Sequence, residues 1–247
     1  MRLDQLLVDR GLFESREKAR RAVMAGLVGV NGQRVDKPGS AVKDDVRLEV
    51  SGPAEPFASR AGRKLAAALD EFALDPAGLT CLDVGASTGG FTDCLLQRGA
   101  ASVTALDVGY GLLDARLRAD PRVRVVERVN ARYLAADAFP APFDFVVVDV
   151  SFISLLKVVP ALLPHLATDG RLLTLIKPQF EIGRQGLGKG GIVRDESARR
   201  AIVEQRVREI AALGLVASRC FDSPVAGAEG NREALALFHA PAGRRES

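Results

Sequence analysis

The 247-residue chain has no tryptophan, two tyrosines, two histidines and three cysteines, and these scarcities remove several classes of protein at the outset. Cys81, Cys94 and Cys220 are odd in number and widely spaced, with no C-x-x-C pair. That excludes a disulfide framework; buried free thiols in a reducing cytosol are expected, Cys81 in a strand and Cys94 on a helix. His165 and His239 stand alone, and no Cys/His cluster has zinc-ligand spacing, so no metal is expected. No uncharged apolar run approaches the ~18 residues that a membrane-spanning helix needs. The N-terminus is charged from Arg2 and Asp4 onward, with no apolar core for a signal peptide. A soluble, cytoplasmic protein without a membrane partner is expected. Excess charge is scarce too: the net charge is +3 and the pI ≈ 8.9, so any nucleic-acid surface has to be local. Apolar residues are plentiful at 47%, ample for a core, and the length suits one large domain or a domain with a small appendage.

The most informative stretch is Cys81-Leu82-Asp83-Val84-Gly85-Ala86-Ser87-Thr88-Gly89-Gly90-Phe91. A short apolar run ends in a carboxylate, passes through a glycine-rich turn and opens a helix. Glycines let the backbone come close to a ligand, and a helix N-terminus offers free N–H groups. The order Asp-x-Gly-x-x-x-Gly-Gly is not the dinucleotide fingerprint. An acid at the strand's end suits a ligand with a cationic amino-acid end, such as S-adenosylmethionine (SAM). The competing reading is a tight strand-to-helix turn that binds nothing.

Around this turn, strands and helices alternate as in a doubly wound α/β sheet. A helix capped by Ser59, with the apolar face Ala61, Leu65, Leu69 and Phe72, precedes strands near 81–85, 103–107, 123–126, 144–149 and 171–176. A further helix is predicted at about 195–213. The last apolar runs, 215–222 and 234–239, have no helix between them and are expected to pair as an antiparallel hairpin at one sheet edge. A parallel sheet with an antiparallel last strand is the Rossmann-like methyltransferase plan, which strengthens the case for SAM.

In such a sheet ligands sit at the carboxyl ends of the strands. Asp83 ends the first, Asp107 the second and Asp149 the fourth, while Lys177 follows the fifth. Asp107 has the rough spacing from Asp83 at which an acid reaches ribose hydroxyls, and Asn130 could sit beside an adenine ring. Asp149 and Lys177 directly follow apolar strands, where charges are rare unless paired or used. A purely structural salt bridge between them is the alternative. Tyr110 and Phe180 could stack on a flipped base, although each residue type more often packs.

Residues 1–50 have a different grammar. Leu3, Leu6 and Leu7 share a helical face, Ser15 can cap a second helix to about residue 25, and Gly26 ends it. Val28 and Val30 then meet Asn31-Gly32, a strong hairpin signal, and another strand is expected over 46–50. Arg16, Lys18, Arg20 and Arg21 cover the helix face opposite Ala19, Val23 and Leu27, which taken alone is an ordinary solvated face. The pattern Arg2-Leu3-Asp4-x-Leu6-Leu7, Ser15-Arg16-x-x-Ala19 and Gly26-x-Val28-x-Val30-Asn31-Gly32 resembles the alpha-L RNA-binding module of a ribosomal small-subunit protein, pseudouridine synthases and tyrosyl-tRNA synthetase. That resemblance implies RNA-phosphate contacts from Arg2, Arg16, Lys18, Arg20 and Arg21. Ser51–Ser59, with Gly52, Pro53 and Pro56, reads as a linker. The segment Pro178–Arg194, rich in glycine and carrying Arg184, Lys189 and Arg194, reads as a mobile cationic lid that orders on RNA.

Taken together, Ser59-Arg60-x-x-x-Lys64-Leu65, the Asp83–Thr92 turn, Asp107-Val108-Gly109-Tyr110-Gly111, Asp149-Val150-Ser151-Phe152-Ile153-Ser154, Lys177-Pro178-Gln179-Phe180-Glu181 and Gly230-Asn231-x-Glu233 resemble the TlyA family. Those proteins are rRNA cytidine 2′-O-methyltransferases in which an alpha-L domain precedes an FtsJ-like catalytic domain. The resemblance implies three parts: an α+β alpha-L domain over 1–50, a linker over 51–59 and a SAM-dependent methyltransferase domain over 60–247. It implies a catalytic tetrad of Lys64, Asp149, Lys177 and Glu233. Cofactor contacts would come from Asp83, Gly85, Ala86, Ser87, Thr88, Gly89, Gly90, Phe91, Asp107, Asn130 and Asp149. RNA contacts would come also from Arg60, Arg184 and Lys189, with ribosomal subunits as partners. A ribose hydroxyl must lose its proton as it attacks, and a lysine takes a proton only when neutral, a state that burial beside a second cation favours. Lys177 is the expected base. The chain starts at the first alpha-L residues and stops soon after the last strand, which favours the shorter family type, associated with large-subunit rRNA. A SAM enzyme on another substrate, a membrane-active protein of the kind labelled hemolysin, and a non-catalytic RNA-binding protein are the alternatives.

Overall fold

In the computed structural model, residues 1–24, 26–50, 56–183, 187–188, 191–227 and 230–241 are described. They fall into two compact units, Met1–Ala54 and Glu55–Ser247.

The first unit packs helices α1 (Leu3–Asp9) and α2 (Arg16–Met24) on a small antiparallel sheet. The sheet runs β2 (Gln33–Arg34), β1 (Val28–Val30), β3 (Leu48–Val50) in spatial order. Leu3, Leu7, Ala19 and Val23 are fully buried and form its core with Val28. The Ser15 hydroxyl accepts the Lys18 N–H at 3.3 Å, as an N-cap should. Asn31 and Gly32 both take positive φ, 53° and 80°, the geometry that a two-residue hairpin turn demands. Two expectations shift. Leu27 is exposed and lies beyond α2, so it does not share the Ala19–Val23 face. The strand expected from residue 46 starts at Leu48, because the Val46 carbonyl is taken by Arg10 at 2.7 Å and not by a ladder partner.

The second unit is a seven-stranded sheet. Five parallel strands come first: β4 (Thr80–Val84), β5 (Ser102–Leu106), β6 (Val123–Val126), β7 (Phe143–Val148) and β8 (Leu166–Ile176). They are followed by β9 (Val216–Asp222) and β10 (Ala234–His239), and the spatial order is β6-β5-β4-β7-β8-β10-β9. β10 is antiparallel to both neighbours. The expected hairpin forms, but its second strand inserts beside β8 and its first strand takes the edge.

Alternation along the strands splits the core into two layers, as a sheet covered on both faces requires. Cys81, Phe145, Val147, Leu173, Leu175, Leu235 and Leu237 face α3 (Ala61–Phe72) and α4 (Gly90–Gln97). Leu82, Val84, Val146, Val148, Leu172, Ile176, Ala236 and Phe238 face the layer of α6 (Val159–Leu162) and α8 (Glu196–Ala211). Two short helices complete the unit, α5 (Ala115–Ala119) after β5 and α7 (Pro178–Glu181) after β8. α8 is capped by Asp195 and pinned to β9 by the buried Arg199, which pairs with Glu196 at 2.7 Å and Asp222 at 2.8 Å.

Ser59 does not cap α3: the N-cap position is Arg60, without a side-chain hydrogen bond. The Ser59 hydroxyl instead faces Gly90, where a Cβ would fall 2.3 Å from its oxygen. Gly90 is therefore required for α3 and α4 to approach. Cys81 and Cys94 are buried free thiols, and burial pushes both up to about 12. Cys220 departs from that expectation; it is exposed on the edge strand. Among the described residues no helix is long and apolar enough to cross a membrane.

Candidate active site

The strands of the parallel sheet end together, and two adjoining clefts open there. The larger, of ≈ 380 Å³, is walled by the ends of β4, β5 and β7, the turns after them and the segment after β6, including Gly85, Ser87, Asp107, Asn130, Asp149 and Ser151. The smaller, of ≈ 180 Å³, lies over the glycine turn and the start of α4, and adds Ser59, Ala86, Thr88, Gly90, Phe91 and Lys177. Gly85, Ser87, Asp149 and Ser151 line both.

The glycine turn has this shape because its neighbours leave no room for side chains. Gly85 takes φ 87°, and a Cβ there would sit 2.3 Å from the Asp149 carbonyl oxygen. Gly89 takes φ 93° as the N-cap of α4. Ser87 is held at φ 49° while its N–H donates to Asp107 Oδ2 at 2.8 Å. Asp107 also accepts the Gly109 N–H on Oδ1 at 2.7 Å. One carboxylate thus ties the turn after β4 to the turn after β5, and each oxygen keeps a further lone pair for a ligand. Asn130 uses its side-chain oxygen to cap a 3-10 turn at Arg132 N–H, 3.0 Å away.

Asp83 sits behind this wall, not in it. Its carboxyl is fully buried, accepts the Thr92 hydroxyl on Oδ2 at 2.7 Å, and has an unpartnered Oδ1. Burial pushes it up to about 7; the Thr92 hydrogen bond works against that, and the charge of Asp149 works with it. Gly89 likewise lines neither cleft.

The four residues expected to carry the chemistry are assembled as two ion pairs. Lys177 Nζ lies 2.6 Å from Asp149 Oδ1 and donates to Ser151 Oγ at 2.8 Å. Lys64 Nζ donates to Glu233 Oε2 at 2.5 Å, with both side chains almost fully buried. The β10–β8 ladder ends with Ala234 opposite Ile176, so Glu233 and Lys177 are the next residues on adjacent strands. Lys64 reaches the same region from α3, one turn beyond Ala61 of the smaller cleft. Neither Lys64 nor Glu233 lines a cleft.

Several contributors went unrecognised in the sequence. Glu181, in α7, is buried against Arg206 at 2.8 Å and accepts the Leu155 N–H at 2.8 Å. It therefore fastens the loop after β7, which carries Asp149 and Ser151, to the helix after Lys177. Desolvation holds the Glu181 carboxyl above its ordinary range. Phe152, on the same loop, is 90% exposed at φ 64° and lies beside Phe180, ring centroids 5.0 Å apart. Tyr110 is exposed, with the Arg128 guanidinium 4.2 Å over its ring.

Of the cations assigned to RNA, four are engaged in ion pairs within the first unit. Arg2 holds the fully buried Asp4 through two hydrogen bonds of 3.0 Å, and Arg16 joins it at 3.2 Å. The Arg2 hydrogen bonds lead in drawing the Asp4 carboxyl down to about 2. Lys18 pairs with Glu14 at 2.7 Å, and Arg21 pairs with Glu17. Arg20 and Arg60 are exposed. Arg184 and Lys189, with three further residues of the expected lid, lie outside the described residues. No group of three or more His, Cys, Asp or Glu among the described residues could hold a metal ion.

The site fits SAM. The larger cleft has the volume of a small-molecule site. The glycine turn allows close backbone approach, and the Asp107 carboxylate stands at the end of β5 on the cleft wall, where it could receive a diol.

Comparison with known proteins agrees with this geometry. Residues 57–239 match the FtsJ-like methyltransferase family model and residues 1–48 match the S4 domain model. The chain is 46% identical over 233 residues to the 16S/23S rRNA (cytidine-2′-O)-methyltransferase TlyA of Mycobacterium tuberculosis, covering 94% of this chain and 87% of that protein. It is 34% identical over 194 residues to the 23S rRNA (cytidine-2′-O)-methyltransferase TlyA of Campylobacter jejuni, covering 77% and 73%. A solved structure from Streptococcus thermophilus, titled a hemolysin, superposes with a TM-score of 0.79 at 42% identity, covering 98% of this chain and 89% of that one.

Proposed function

The chain belongs to the FtsJ-like methyltransferase family, in the TlyA branch, and from that premise we propose that it methylates a cytidine ribose of large-subunit ribosomal RNA with Lys177 as general base. SAM is its methyl donor, and rRNA 2′-O-methylation is its reaction class. When bound, SAM supplies an electrophilic methyl group on a sulfonium. The rest is the work of this chain's own residues.

One observation carries the reading: a lysine amine on the wall of the smaller cleft, held by Asp149 and Ser151, beside the buried pair Lys64–Glu233. A ribose 2′-hydroxyl is a weak nucleophile until its proton has an acceptor. Lys177, in its neutral form, takes that proton at Nζ as the oxygen attacks. Asp149 and Glu233 orient the two amines. Asp107 receives the ribose diol of the cofactor, Asn130 flanks its base, and the turn from Gly85 to Phe91 cradles its amino-acid end together with Asp83.

The first unit supplies a grip on RNA phosphates, which fixes position without reading sequence. Arg20 on α2 and Arg60 at the start of α3 suit that task best, since Arg2 and Arg16 also serve Asp4. A large ribosomal subunit, met in the cytoplasm, is the proposed partner. Both relatives are named for methylation of 23S rRNA, which supports this choice.

The test is methyl transfer from labelled SAM to purified large subunits, with the modified ribose mapped. Lys177→Ala should lose about 10²–10⁴ in rate, with SAM affinity by calorimetry unchanged. Near-normal transfer by that variant would remove the general-base role.

A further inference from the structure

Lys177 Nζ has three tetrahedral directions besides its own carbon. One points at a hydrogen-bond acceptor, Ser151 Oγ at 2.8 Å, while Asp149 Oδ1 at 2.6 Å is an ion-pair contact outside hydrogen-bond geometry. Lys177 also lines the smaller cleft. A neutral amine carries two N–H bonds and one lone pair. With one N–H held by Ser151 and the other drawn by the charge of Asp149, which also repels the lone pair, the lone pair is turned away from both.

We propose that Ser151 is a positioning residue for the base, fixing rotation about the Lys177 Cε–Nζ bond so that the lone pair meets the substrate hydroxyl. This rests on the reading of Lys177 as the base. With Asp149 alone, the amine is attracted by charge without a directional hydrogen bond and rotates among its staggered positions, only some of them productive. A second carboxylate in place of Ser151 would hold the amine as firmly, but it would stabilise the ammonium and silence the base. A hydroxyl anchors the amine without adding charge. When the substrate O–H bond breaks, its proton forms the third N–H bond of Lys177, and the hydrogen bond to Ser151 need not move.

The backbone around Ser151 suits the role. Its loop is fastened at Leu155 by the buried Glu181, and the next residue, Phe152, is held at φ 64°, a conformation that a bulky side chain avoids unless its surroundings impose it. Ser151 is also one of four residues shared by both clefts, where the methyl group and its acceptor would meet.

The experiment compares Ser151→Ala, Ser151→Thr and Lys177→Ala in single-turnover methyl transfer to purified large subunits at saturating SAM, with SAM affinity measured by calorimetry. Ser151→Ala should lose about 10-fold to 100-fold in the rate of transfer with SAM affinity and subunit KM unchanged, and Ser151→Thr, which restores a hydroxyl, should recover most of it. Wild-type rate in Ser151→Ala, beside an inactive Lys177→Ala, would overturn the positioning role and leave the base in place. A loss that rising SAM concentration repairs would overturn it too, making Ser151 a cofactor contact. An active Lys177→Ala would instead sink the reading of the base beneath it.

Discussion

The buried pair Lys64–Glu233 allows catalysis and stability to be separated in one set of variants. The side chains are 8% and 2% exposed, and the amine donates at 2.5 Å. A Cβ at Gly227 would fall 2.2 Å from Glu233 Oε1, so backbone closes over the carboxylate and keeps water from replacing a lost partner. In Lys64→Met the stranded carboxylate can escape only by taking a proton. For an ordinary glutamate at pH 7 that costs about 3.7 kcal/mol, and about 1 kcal/mol at pH 5. In Glu233→Met an ordinary lysine sheds its proton at a cost of about 4.6 kcal/mol at pH 7. Both figures agree with the roughly 3–5 kcal/mol found when one partner of a buried pair is removed. In a domain of this size each kcal/mol lowers Tm by about 2–4 °C, so each single variant should fall by about 6–20 °C. The double variant Lys64→Met with Glu233→Met strands no charge and should return close to wild-type stability. All three should be inactive. Denaturant unfolding at pH 5 and pH 7 measures the cycle, and labelled-SAM transfer measures activity. Single variants losing under about 1 kcal/mol at pH 7, or a double variant no more stable than either, would refute the reasoning.

Asp83→Asn tests the orphaned carboxyl. Its folded-state pKa, raised by burial to about 7, contributes stability that is fully present below the ordinary carboxylate range and is lost as pH rises through about 7. The Asn variant should therefore flatten the fall in Tm between about pH 4 and 7 and be the more stable protein at pH 8, while binding SAM more weakly; an unchanged pH profile would show that the group titrates normally. Asp107→Ala should weaken SAM binding by about 1.5–3 kcal/mol, roughly 10-fold or more, as calorimetry would record, and wild-type affinity would place the ribose elsewhere. Arg20→Ala should weaken subunit binding and make its salt dependence shallower by about one phosphate contact without changing Tm, whereas Arg16→Ala should also lower the stability of the first unit, since Arg16 pairs with the buried Asp4. Equal thermal behaviour of the two variants would deny Arg16 that second duty.

Much of the fold could be read along the chain because the strands of a doubly covered sheet are apolar on both faces and end in turns. Phe145-Val146-Val147-Val148 and Leu172-Leu173-Thr174-Leu175-Ile176 are buried throughout. The order of the last two strands was left open, although a signal for it existed. β10 reads Ala-Leu-Ala-Leu-Phe and is buried along its length, which only an interior strand can be. β9 carries Arg219 and Asp222 and is almost wholly exposed, as an edge strand is. Ser59 misled for another reason. A serine before a helix is ordinarily its cap, but here contact between α3 and Gly90 claims the hydroxyl, and nothing local in the sequence announces a helix–helix approach.

The site was legible residue by residue and illegible as an arrangement. Asp83, Asp107, Asp149 and Lys177 stand out because each charge follows an apolar run, but which acid meets which base depends on pairing between strands far apart in the chain. Lys177 takes Asp149 from the neighbouring parallel strand. Glu233 lies beside Lys177 in the antiparallel ladder, yet turns to Lys64 on α3. The insertion of β10 next to β8 brings Glu233 to this place. The same reasoning limits Asp83, which sequence position alone puts at the mouth of the cleft. One residue of alternation turns its side chain behind the glycine wall toward Thr92, so its influence on a ligand has to pass through the turn that it supports.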